Sequence, residues 1–479
     1  MKKRTKILAT IGPASDTLEK LEALIRAGVN VFRMNFSYGT HAYHSAVIAR
    51  IRQAVNNTGL IVGVLQDISG PKVRVGKLEG DFFLKKDDLL EFVQEEIVGK
   101  KLSEGHYQLS INQSEILSKI KEGEYIYLHD GNIRAKVVHA GKNVLAAVQN
   151  SGKLSSHKGV NLPNTRIGLD VLTPKDRQDM LWGIENGVDF MAISFVQTAS
   201  DMQSARKIIT ENGGYQQLFA KIEKFDAVEN IDAILEASDG IMVARGDLGI
   251  EVPYYEVPVI QKRIIQKANG AGKPVITATQ MLLSMTEHET ATRAEISDVA
   301  NAVLDGTDAV MLSEESAIGQ NPVLTVETMV KTICETEKIY AYGKFVQFPI
   351  QDSMDVIDES VVQLASKLDA DAILAFTTSG QSAKKLARYR PETTILAIMH
   401  NEGVARALTI VWGVVPAFLV TKNNLQQMLG YVIKKGLKEK LLDKEGCYIL
   451  TAGDPVGVPG TTNNIRILRA PELNYFNGL

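Results

Sequence analysis

The chain reads as an α/β protein: a (β/α)8 barrel of the TIM type, interrupted by a small β-barrel lid and followed by a C-terminal α/β domain. Three observations predict this. Eight short apolar runs alternate with segments of helical period, one interval between runs is far too long for a loop, and the pattern restarts after the eighth unit.

The runs are Lys6 to Gly12, Val29 to Phe36, Ile61 to Asp67, Phe190 to Phe195, Leu218 to Glu223, Gly240 to Gly246, Pro274 to Gln280 and Ala309 to Glu315. In the first helix Leu18, Leu21, Leu24 and Ile25 share one face, with Asp16 as expected N-cap and Gly28 as stop. The gap between Asp67 and Phe190 exceeds any ordinary loop. Strand-like runs inside it, at Val73 to Gly76, Tyr125 to Leu128, Ile133 to Val138 and Val144 to Val148, predict an all-β insertion. Helix formation resumes over Pro174 to Asn186, behind Thr173. The barrel is therefore expected over residues 1–70 and 170–343, the lid over 71–169 and the last domain over 344–479. Strands in that last domain are expected at Ala372 to Phe376, Thr394 to Ile398 and Tyr448 to Leu450.

Composition narrows the function classes. With 45% hydrophobic and 23% charged residues, no stretch reaches the run of about 18 apolar residues that a membrane span needs. A net charge of −3 supplies no basic field for nucleic acid. Cys334 and Cys447 form neither a disulfide framework nor a metal cluster, which fits a reducing cytoplasm.

In such barrels chemistry sits at the carboxyl ends of the strands, and these ends are polar. They deliver Arg33, Asn35 and Ser37; Asp67; Ser194; Lys221 and Glu223; Arg245 and Asp247; Thr277, Thr279 and Gln280; and Ser313 and Glu315. Glu223 and Asp247 on neighbouring strands can share one Mg²⁺ and leave positions open. Arg33 and Lys221 can neutralise a phosphoryl group in transit. No GxxxxGK[ST] and no GxGxxG after a strand is present, so phosphoryl transfer with a metal is expected without a P-loop or Rossmann nucleotide site.

KILATIGPAS (6–15), RMNFS (33–37), KGVNLP (158–163), KIE (221–223), GIMVARGDLGIEVP (240–253), TATQML (277–282) and TRAEISDVANAVLDGTDAVMLS (292–313) together resemble the pyruvate kinase family, in order and in spacing. The resemblance implies transfer of phosphate from phosphoenolpyruvate to ADP, the last step of glycolysis, with Mg²⁺ or Mn²⁺ as cofactor. It implies that Lys221 stabilises the transferring group, that Glu223 and Asp247 bind the metal, and that Arg33 grips the substrate phosphate. The backbone of Arg245 and Gly246 with the Thr279 hydroxyl would hold the substrate carboxylate, and Pro13, Asn35, Arg74 and Lys158 would meet the nucleotide. Thr279, Ser313 and Glu315 lie where a relay could protonate the enolate. The loop Thr377, Thr378, Ser379, Gly380, Gln381 and Ser382 resembles the family's effector-phosphate loop, and segment 449–463 its closing loop. A sugar-phosphate or nucleotide effector, a homotetramer and a cytoplasmic location are implied too.

One departure bears on cofactors. Many members bind K⁺ through residues matching Asn35, Ser37, Asp67 and the carbonyl of Ile68, and continue Thr-Lys-Gly-Pro-Glu after the Asp. Here Lys72 stands in place of that Glu, and its ammonium could supply the charge that K⁺ otherwise brings, so K⁺ is expected to be dispensable. Arg388 and Arg390 are expected either in solvent or at a subunit contact.

Overall fold

This computed structural model describes residues 3–166, 168, 170–342, 348–350, 352–421, 424–453 and 462–478. Eight parallel strands close into a barrel: β1 (Lys6–Thr10), β2 (Val31–Asn35), β3 (Gly63–Ile68), β4 (Phe190–Ile193), β5 (Gln217–Ile222), β6 (Gly240–Ala244), β7 (Val275–Ala278) and β8 (Ala309–Leu312), with β1 pairing both β2 and β8. Every residue of β3 is buried, as a strand covered on both faces must be. Alternation sorts the side chains: Ile7 and Ala9 pack outward against the helices, while Leu8 packs inward with Leu65, Phe190, Phe219 and Met242.

The helices begin and end where their capping chemistry allows. Leu18–Ala27 is capped by Thr17, whose side chain accepts from the Lys20 amide, and not by Asp16. Asp16 is spent instead on the Tyr43 hydroxyl at 3.0 Å. Helix Pro174–Glu185 starts with the expected Thr173, closed into a capping box by Asp176.

The inserted segment forms a seven-stranded sheet and a separate two-stranded ribbon, so the expected small barrel is an open assembly among the described residues. Val73 to Gly76 is not a strand there; Arg74 and Val75 make isolated bridges to Gly159 and Ile111. The C-terminal sheet has five strands, four parallel and the last antiparallel, in the order 414–419, 394–399, 372–376, 448–453, 462–468.

The C-terminal domain plugs the amino end of the barrel. Barrel residues Leu8, Leu65, Phe190 and Ile276 share one continuous apolar cluster with Val361, Leu386, Ile395 and Val411. Gly63 shows how close the approach is: a Cβ there would stand 2.7 Å from Thr409 Oγ1 and 2.8 Å from the Phe190 ring. Arg388 and Arg390 correct the expectation of solvated or intersubunit side chains. Both are buried within the chain, Arg388 on Asp355 at 3.0 Å and Arg390 on Asp308 of the barrel at 2.9 Å. Among the described residues no helix is long and apolar enough to cross a membrane.

Candidate active site

At the carboxyl end of the barrel the strand termini converge on one ionic network. Arg33, on β2, donates Nε to Asp67 Oδ2 at 2.7 Å and Nη1 to Thr10 Oγ1 at 3.0 Å. Lys221, on β5, donates Nζ to Asp67 Oδ1 at 3.1 Å and to Ser194 Oγ at 2.7 Å, and lies 2.9 Å from Glu223 Oε1. The second Glu223 oxygen accepts the Phe195 amide at 2.8 Å. Three strands thus hold two cations between two carboxylates, all nearly buried.

Burial would raise Asp67, but Lys221 and Arg33 outweigh it and hold the carboxyl below its usual range. Lys221 moves the other way: burial disfavours its charge, yet Asp67 and Glu223 raise it well above an ordinary lysine, so it is a fixed cation. Glu223 is raised, first by burial and then by the facing charge of Asp247, against the pull of Lys221. Two carboxylates that repel each other this closely are relieved by a divalent cation, and the chemistry of the pair suits Mg²⁺. Asp247 itself has no hydrogen bond or ion pair among the described residues. No group of three or more His, Cys, Asp or Glu forms a complete metal cage there either, so a bound ion would keep positions free for substrate oxygens.

Residues 245–251, after β6, form a short helix that starts at Arg245. The Arg245 side chain turns away from the strand ends. It forks onto Asp298 at 2.6 and 2.7 Å and donates to the carbonyls of Ala278 and Thr279, which pins the helix start against β7. Gly246 donates its amide to Thr279 Oγ1 at 2.8 Å. A Cβ on Gly246 would meet Thr279 only at 3.5 Å, so the protein alone does not exclude a side chain; the free approach matters for a ligand. Thr279 has φ 72 and Gln280 φ 54, left-handed values that a β-branched residue adopts only under constraint.

Glu315 is fully buried and accepts the amides of Ser313 at 2.7 Å and Leu282 at 3.2 Å, so it braces the loops after β7 and β8. A cleft of about 650 Å³ opens beside the network, lined by Pro13, Arg33, Asn35, Tyr38, His44 and Ser313 among others. Arg74 and Lys158 sit on the lid and do not line it; Arg74 Nη1 donates to the His157 carbonyl at 3.0 Å.

Two family models match the chain: the pyruvate kinase barrel domain over residues 2–326 and the pyruvate kinase alpha/beta domain over 355–468. The chain is 42% identical over 476 residues to a pyruvate kinase of Geobacillus stearothermophilus, covering 98% of this chain and 80% of that one. It is 40% identical over 471 residues to one of Clostridium acetobutylicum, covering 97% and 99%. The crystal structure of a pyruvate kinase from Cryptosporidium parvum superposes with a TM-score of 0.92 at 34% identity, over 98% of this chain and 96% of that one.

The chain belongs to the pyruvate kinase family. It is accordingly a phosphotransferase of glycolysis, which passes the phosphoryl group of phosphoenolpyruvate to ADP and yields pyruvate and ATP. Pyruvate kinases generally use Mg²⁺ and K⁺.

Against that background three of the four groups matching the K⁺ pattern accept from protein donors. Asp67 serves Arg33 and Lys221, the Ile68 carbonyl accepts Ser194 Oγ at 2.6 Å, and Asn35 Oδ1 accepts the Ser37 amide at 3.1 Å. Lys72 does not stand among them. Its Nζ lies 3.8 Å from Asp130 Oδ1 of the lid, and no hydrogen bond or ion pair joins it to Asn35, Ser37 or Asp67 among the described residues. The loop 377–382 is ordered by the Gly380 amide donating to Thr377 Oγ1 at 2.9 Å, with Gly380 at φ 88. The helix that follows begins at Gln381, and Ser382 Oγ lies 3.0 Å from Thr462 Oγ1. Of the expected closing loop, residues 454–461 lie outside the described residues.

Thr10, Ser194 and Asp298 hold the site in ways that sequence reading missed or undervalued. Ser194 was visible as a polar strand end. Thr10 and Asp298 carry no local signal, because their partners are 23 and 53 residues away.

Proposed function

We propose that the strand-end network performs the family's reaction with the following division of labour. The single observation that carries this reading is Lys221, a nearly buried ammonium whose charge is favoured by Asp67 and Glu223 and which Ser194 holds, beside a further carboxylate, Asp247. Lys221 and Arg33 bracket the phosphoryl group and neutralise its equatorial oxygens as it moves. The amides at the start of helix 245–251 and the Thr279 hydroxyl bind the substrate carboxylate. Glu223 and Asp247 would hold Mg²⁺, which when bound neutralises charge on the substrate oxygens. Pro13 and Asn35, in the cleft, and Arg74 and Lys158, carried by the lid, contact the nucleotide. Thr279 and Ser313, braced by Glu315, pass a proton to the enolate. The chain divides into the barrel (1–70 and 170–343) that carries this site, the lid (71–169) and the C-terminal domain (344–479). Loop 377–382 receives the phosphate of a sugar-phosphate or nucleotide effector, and the working particle is a cytoplasmic homotetramer.

The metal assignment is tested by Mn²⁺ binding, read by electron paramagnetic resonance. Asp247→Asn is expected to weaken it on the order of 10-fold or more, and unchanged binding would remove Asp247 from the site. We also propose that turnover does not need K⁺, on the strength of Lys72 replacing the family's Glu. Full rates in potassium-free buffer are expected, and a collapse there refutes it.

A further inference from the structure

At the seam between barrel floor and C-terminal domain lies a small cavity lined by Asn269, Lys273, Asp308, Lys384, Arg388 and Arg390, among others. Four of these six are cationic, and they come from both sides. Lys273 precedes β7, while Lys384, Arg388 and Arg390 lie on or just after helix Gln381–Ala387.

Their charges are incompletely matched. Lys273 Nζ donates only to carbonyls, those of Leu235, Glu236 and Ser238 at 2.7, 2.9 and 2.7 Å. Lys384 Nζ donates to the neutral amide of Gln217 at 3.1 Å. Neither lysine has an ion-pair partner among the described residues. Asp308, the one carboxylate in the lining, is already taken by Arg390 and by the amides of Val275 and Trp412. Asp239, which also pulls on both lysines, is paired with Arg206. Burial, aided by nearby Lys273, lowers Lys384 in spite of Asp239 and Asp308. Finally, the Nε atoms of Arg388 and Arg390 have no hydrogen-bond acceptor among the described residues, although each side chain is more than nine-tenths buried. Orphaned charged donors are costly.

We propose that this cavity binds one small monovalent anion of chloride size, which ties the barrel floor to the C-terminal domain. The cavity has room for about one such occupant, too little for a phosphate or a carboxylate metabolite. Water could satisfy the donors but would leave the two lysines uncompensated. A halide accepts from several N–H groups without strict direction, which suits donors converging from two domains.

The direct test is bromide substitution. Crystals of the full chain grown in sodium bromide should show an anomalous peak in the cavity beside Lys384 and Arg390; a water there with no anomalous signal overturns the proposal. In solution the wild-type chain should melt on the order of 2 °C higher in sodium chloride than in sodium gluconate of equal ionic strength. That difference should vanish in Lys384→Met. Equal melting of the wild type in both salts overturns the proposal, as does a chloride shift retained in full by the variant. Should Lys384→Met fail to fold, the bromide map of the wild type decides alone.

Discussion

The two ends of the barrel use the same ingredients and treat them oppositely. At the floor, the buried carboxylates that join the two domains are saturated. Asp308 is satisfied by Arg390, Val275 and Trp412, and Asp189 by Arg406 at 2.7 Å and the Val64 amide at 2.9 Å. At the carboxyl end, Asp247 has no ion-pair partner among the described residues, Glu223 is pushed up by burial and by Asp247, and Thr279 is held at a left-handed φ. The floor spends its carboxylates on joining two domains. The carboxyl end keeps charge and backbone strain in reserve for a ligand, as functional sites do.

Removing one cation from each end should therefore give opposite phenotypes. Lys221→Met is expected to lower kcat on the order of 10²-fold or more in a coupled assay for ATP, by analogy with deleting one transition-state donor. Near-normal turnover would end its assigned role and with it the contrast. Arg406→Met, at the floor, leaves Asp189 buried with Arg52 at 3.9 Å and the Val64 amide as its side-chain partners among the described residues. A loss of about 2 to 3 kcal/mol in urea unfolding is expected, since breaking a buried pair strands one charge. Turnover of the folded molecules should stay within a few-fold. If this variant instead lost turnover with stability intact, the floor would be part of the chemistry.

The contrast also explains what could be read from the sequence. Strand runs such as Gly240 to Gly246 announce themselves through unbroken apolar residues, and Lys221, Glu223 and Asp247 stand out as charges where such runs end. These are local signals. The strand Val414–Leu419 was missed because Pro416 interrupts it, which only an edge position tolerates, and 414–419 is the edge. Thr462–Leu468 was missed because Asn463, Asn464 and Arg466 hide its alternation. The ion pairs Arg245 to Asp298 and Arg390 to Asp308 join residues 53 and 82 apart. Such partners are chosen by the closed barrel and the docked domain, and nothing near either residue in sequence names the other. Asp16 lost the cap to Thr17 because Tyr43, on the next helix, claims its carboxylate.

One buried acid beside the floor breaks the floor's own rule, and it offers the smallest test. Asp358, on helix Ser353–Lys367, is buried, and neither of its oxygens has a hydrogen bond among the described residues. Burial pushes its carboxyl up to about 7, with Asp355 and Asp352 adding to the rise against Lys385 and Arg388. The folded chain thus keeps a proton that an unfolded Asp, near 3.8, gives up. That contribution is complete below the unfolded value and is lost as the pH rises through about 7. Asp358→Asn removes the titration while keeping the shape. The variant should match the wild type near pH 4 and become more stable than it as the pH climbs to 8, by on the order of 2 kcal/mol. The measurement is the difference between the two urea midpoints across that range. A difference that stays flat with pH would mean that Asp358 finds a partner in solution, and that this part of the chain obeys the same rule of saturation as Asp308 and Asp189.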